Sequence, residues 1–159
     1  MSSLPTWKKI KIGTGLKTKD DFRKAFEKEG FALAGKAIEM FEKAELKVAP
    51  KPAEVELVQI TTTALTGEPN GSTKEAVFAA AAKLGLKQCT LEIALQLRRQ
   101  YPDQPMSEKY FVGMPSLPAA DGHNYMVTIR RGADGLVVGS AGDHDGHLWV
   151  APAWWTFVK

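Results

Sequence analysis

The chain has 159 residues, 44% of them apolar, and its 21 Lys and Arg against 18 Asp and Glu leave a net charge of +3. That length favours one domain, 1–159, able to bury a core without disulfide staples. The single cysteine, Cys89, excludes an internal disulfide and a cysteine-rich zinc site. The longest strictly apolar run, residues 76–82, is far short of the ~20 residues that span a bilayer, and the first residues carry no apolar signal core. The expectation is a cytoplasmic protein without membrane contact. The positive excess is confined to residues 1–53, with twelve Lys and Arg against seven Asp and Glu. It reads as a lysine-rich solvated helix face, with weak nucleic-acid binding as the alternative.

In chain order, residues 7–12 alternate apolar and polar and predict a short edge strand guarded by lysines. Thr18 to Asp21 resembles a capping box, and the helix it opens places Phe22, Ala25 and Phe26 on one face before Gly30. Leu33, Ala34, Ala37, Ile38 and Phe41 repeat at helical spacing, so a helical pair is expected over about 19–44. A proline-bearing connector leads to a β-branched strand over about 54–63. Ser72-Thr-Lys-Glu75 matches a capping box and opens an alanine-rich helix closed by Gly85, the first of a second helical pair over about 73–101. Beyond it, strand-like runs over about 108–158 are punctuated by Asp121-Gly122, Asp134-Gly135 and Asp145-Gly146, dipeptides that favour type I′ hairpins. The expected architecture is α+β, two helical pairs packed on an antiparallel, meander-type sheet formed mainly by the C-terminal third.

The most telling segment is residues 88–105. At about 100° per residue, Leu91, Ile93, Ala94, Leu95, Leu97 and Tyr101 sweep an arc of roughly 200°. Arg98 falls inside that arc, so it must find an anion or reach water; Asp103 or a carboxylate from the sheet are the candidate partners. Glu92, Gln96 and Arg99 form a polar stripe opposite, which reads as a solvated face or a site.

Two stretches carry a resemblance. Residues 83–105, with Leu84-Gly-Leu86, Cys89, Glu92, Gln96-Leu-Arg98, Gln100-Tyr101 and Asp103-Gln-Pro105, and the opening Lys11-Ile-Gly-Thr-Gly-Leu-Lys-Thr18 with Asp20 to Ala25, resemble a family of short uncharacterised bacterial proteins. Proteins of this kind travel on mobile DNA, as integron cassettes or prophage segments. The resemblance brings no catalytic residues. This chain has Thr90 where relatives tend to carry proline after the cysteine.

Several residues are candidates for chemistry. Asp143, His144 and His147, joined by His123 from another turn, could meet on one metal ion; the same residues also read as the polar tips of hairpins. Cys89 precedes a helix, where the macrodipole lowers a thiol pKa, although lone cysteines are usually buried. Adjacent Trp154 and Trp155 point to opposite sides of a strand, so one needs cover from another layer, a ligand or a second subunit. No motif names a reaction or a cofactor. The functional expectation is a non-catalytic binding module for a protein partner or small ligand, self-associating as a homo-oligomer, with Arg98, Glu92, Gln96, Arg99, Tyr101, Trp154 and Trp155 as contact residues. A metal-dependent enzyme built on the histidine turns is the alternative.

Overall fold

The computed structural model describes residues 4–143, 146–150 and 153–159. The chain runs β1 (Lys8–Ile12), α1 (Lys19–Glu29), β2 (Ala32–Leu33), α2 (Ala37–Lys43), β3 (Ala53–Thr61), α3 (Thr62–Thr66), α4 (Lys74–Lys83), α5 (Leu91–Arg99), β4 (Lys109–Val112), β5 (Leu117–Pro118), β6 (Asn124–Gly132), β7 (Gly135–Gly142) and β8 (Trp154–Val158).

Local chemistry sets the helix ends. At α1 the Thr18 hydroxyl accepts from Asp21 N at 3.1 Å, and the Asp21 carboxylate accepts from Thr18 N at 3.1 Å, a reciprocal box made with Asp. The helix closes on Gly30 at φ 84°, in the left-handed region. At α4 the cap is Thr73, one residue later than the sequence suggests. Ser72 instead donates to the Thr66 hydroxyl at 2.7 Å, and its backbone pairs with Trp149. Thr90 caps α5 by accepting from Ile93 N at 3.2 Å. The second half of the 19–44 region departs from its helical pattern: Leu33 belongs to the short strand β2, and α2 starts only at Ala37.

The strands join in the order β1-β3-β8-β4-β6-β7-β2, with β5 on β6. This corrects the expected antiparallel meander. The sheet is mixed and curled into a half-barrel, because β8 runs parallel to β4 and β2 parallel to β7. The last strand does not close an edge; it inserts at the centre, between β3 and β4. Its side chains explain why. Trp155, Thr156 and Phe157 are all buried although they alternate between faces, as in a strand covered on both sides. Residues 148–150 form no strand, only a single bridge at Trp149. The β6–β7 hairpin exists, but its turn is not type I′. Gly135 takes a positive φ of 98° and Asp134 does not, since Gly132 pairs directly with Gly135.

Two apolar clusters flank the sheet. Val58, Ile60, Phe111, Met126, Trp155 and Phe157 pack under α3 and α4. On the other face α5 lies in the curl, touching β1, β6 and β7, with α1 and α2 beside it. Among the described residues, no helix is long and apolar enough to cross a membrane.

The α1 cap yields a clean test. A Cβ at Gly30 would meet nothing within 4 Å, so only the backbone resists substitution. Gly30→Ala is expected to lower stability by about 1–2 kcal/mol, the cost of a left-handed L-residue, read from urea unfolding.

Candidate functional site: an apolar pocket beside a buried arginine

Helix α5 is buried along almost its whole length, polar residues included. Glu92 is 2% exposed, and Gln96 and Arg98 are fully buried. Glu92 accepts from Gly13 N and Ala49 N, each at 2.9 Å, and so ties two loops together. Gly13 lies against the backbone of the second loop, where a Cβ would stand 2.2 Å from Lys51 O. Gln96 donates to the Thr14 hydroxyl at 2.8 Å and accepts from Arg99 Nη1 at 2.8 Å. Arg99 forks onto Glu29 at 2.7 and 3.2 Å. The stripe that sequence reads as a solvated face or a site is therefore an internal set of ties. Just past the helix, the Gln100 amide accepts from Lys11 N at 2.7 Å and donates to Lys11 O at 2.8 Å, imitating a strand partner on the outer edge of β1.

Arg98 is fully buried, and among the described residues no carboxylate pairs with it. Its guanidinium donates to Gln104 Oε1 at 2.7 Å, Tyr101 O at 2.7 Å, Arg130 O at 3.1 Å and Val137 O at 3.4 Å, while Nε has no partner. Burial pulls its pKa down to about 10, and nearby Arg131 pushes the same way. Gln104 is itself fully buried and donates to Glu108 O and Ile129 O. Tyr101 is buried and donates its hydroxyl to Glu108 at 2.6 Å. Burial, then Glu108, raises its pKa. Trp155 is fully buried and donates Nε1–H to the Thr62 hydroxyl at 2.9 Å, so it belongs to the core. Trp154 stays 39% exposed against Tyr110, with ring centroids 6.3 Å apart.

The metal candidates come partly together. Asp143 N donates to Asn124 O, which places the His123 turn and Asp143 at one end of the sheet. The Asp143 carboxylate is taken by Lys74 at 2.5 Å, and the His147 ring lies 4.4 Å from that of Trp149. Burial opposes ionisation of Asp143, but bonds from Lys74 and Ser116 outweigh it and hold its pKa below the ordinary value. His144 lies outside the described residues. Among the described residues, no group of three or more His, Cys, Asp or Glu could hold a metal. Cys89 follows the buried reading and not the low-pKa one: it is 4% exposed, its Sγ faces Thr156 O at 3.6 Å, and burial pushes its pKa up to about 12.

A more open cavity of about 500 Å³ lies beside His147 and Trp149, and a smaller, aromatic-lined one lies elsewhere. Between α1, β2 and α2, over Leu95 of α5, is a pocket of about 300 Å³. Phe22, Phe26, Phe31, Leu33 and Phe41 form its walls, and Ile38, 51% exposed, stands at the mouth. Arg23 and Glu42 pair at its rim, with the guanidinium 5.2 Å from the Phe41 ring centroid. By sequence, Phe22, Phe26, Leu33, Ile38 and Phe41 stand at helical spacing, and none of them is singled out as a site. A signal was present: four of the seven phenylalanines fall between residues 22 and 41. Set against family models, curated proteins and solved structures, the chain matches none.

Two outcomes follow from α5 and its cap. Glu92→Gln turns one of two engaged acceptors into a donor facing a backbone N–H, and is expected to cost about 2 kcal/mol in urea unfolding. Cys89 is expected to resist a disulfide-exchange reagent at pH 8 in the folded protein and to react fully in denaturant; rapid labelling of native protein would contradict its burial.

Proposed function

We propose that the protein is a binding module that takes an apolar small ligand in the pocket between α1 and α2. The observation that carries this reading is the pocket itself. Its volume, about 300 Å³, stands at the lower end of small-molecule sites, and an aromatic lining with few polar groups is typical of them. A single ring entering it would leave roughly 150–250 Å² of surface dry. At ~25 cal/mol per Å² that is about 4–6 kcal/mol before association costs. After association costs a one-ring ligand therefore binds in the millimolar range or more weakly, and tighter binding needs a polar contact as well.

The test is a titration with a neutral aromatic probe, 4-phenylbutanamide, followed by amide chemical shifts. Saturable shifts confined to α1, β2 and α2 are expected. Leu33→Trp, which fills the pocket from its strand, is expected to weaken binding at least tenfold with the circular dichroism unchanged. Absence of saturable shifts up to the solubility of the probe would remove the reading.

A further inference from the structure

Arg98 and the pocket are neighbours, and each lacks what the other could share. The guanidinium lies 5.5 Å from the centroid of the Phe31 ring. Phe31 also lines the pocket, as does Leu95, one turn before Arg98 on α5. One aromatic ring thus stands between the pocket and a fully buried cation. Every acceptor that Arg98 uses is neutral, an amide oxygen or a backbone carbonyl, and its Nε–H is unused. A buried charge is ordinarily paired, because neutral dipoles only partly replace its hydration. Among the described residues the only cation at the rim, Arg23, is already held by Glu42, and Glu27 adds a further carboxylate there. An anion that reached Arg98 from the pocket would have to be small and attached to an apolar body.

Resting on the binding reading above, we infer that the ligand is a compact apolar monocarboxylate, whose hydrocarbon or aromatic part occupies the pocket and whose carboxylate reaches Arg98 past a rotated Phe31. The guanidinium fork matches a carboxylate in shape and charge.

The experiment compares 4-phenylbutyrate with 4-phenylbutanamide at pH 7, by calorimetry and by the Nε–Hε resonance of Arg98. The acid is expected to bind at least tenfold more tightly than the amide and to shift that resonance, which the amide leaves in place. In Arg98→Met the two ligands are expected to bind alike. Arg98→Lys, which keeps the charge without the fork, is expected to retain part of the preference and covers the case in which the methionine variant does not fold. Arg23→Gln is expected to keep the preference in full. Equal affinities for acid and amide would overturn the inference while leaving an apolar-ligand module. A preference abolished by Arg23→Gln, or acid binding that leaves the Arg98 resonance unmoved, would overturn it in favour of the rim. Binding of neither compound would end both readings.

Discussion

A helix buried on all sides must satisfy its polar groups inside the protein, and α5 imposes that condition on this fold. Its Ile93, Leu95 and Leu97 enter the core against the curled sheet. Its Glu92 and Gln96, which cannot reach water, bind the segments that cover them at Gly13, Thr14 and Ala49. Gln100 extends the pattern by closing part of the outer edge of β1. The N-terminal segment is therefore held by hydrogen bonds that exist only because the helix is buried, and the helix remains buried only while that segment covers it.

The sheet adapts to the same helix. A curl is needed for α5 to touch both β1 and β7, and the central β8 carries apolar side chains to both faces of that curl. Trp155 and Phe157 complete the cluster under α3 and α4, while Thr156 faces the opposite way and is still fully buried. Covering both faces in this way makes three layers from a short chain.

Where the layers meet at the β2 edge, packing is incomplete. The phenylalanines of α1 and α2 meet around an open space, and behind one of them stands Arg98, buried among neutral acceptors. Two features that are each costly in isolation, an open apolar pocket and an uncompensated buried cation, lie one ring apart. The proposed carboxylate ligand with an apolar body would engage both.

Sequence by itself determined the local structure. The Thr18 box, the Gly30 stop, the lysine-guarded edge strand and the place of Arg98 within an apolar arc all follow from short-range spacing and side-chain chemistry, whereas the neutral partners of Arg98 do not. It also exposed the two-sided apolar character of Trp154 to Val158. Tertiary structure alone decided the rest. Strand order depends on pairings between residues nearly a hundred positions apart, such as Ile60 with Trp155, and no local pattern encodes these. Hence the expected meander gave way to a mixed sheet with its last strand at the centre. The fate of the Glu92 and Gln96 stripe was equally hidden, because a polar face looks solvated until a distant loop covers it. The pocket had only its crowd of phenylalanines to announce it, since a cavity is the space side chains fail to fill, and that is set by how helices diverge in three dimensions.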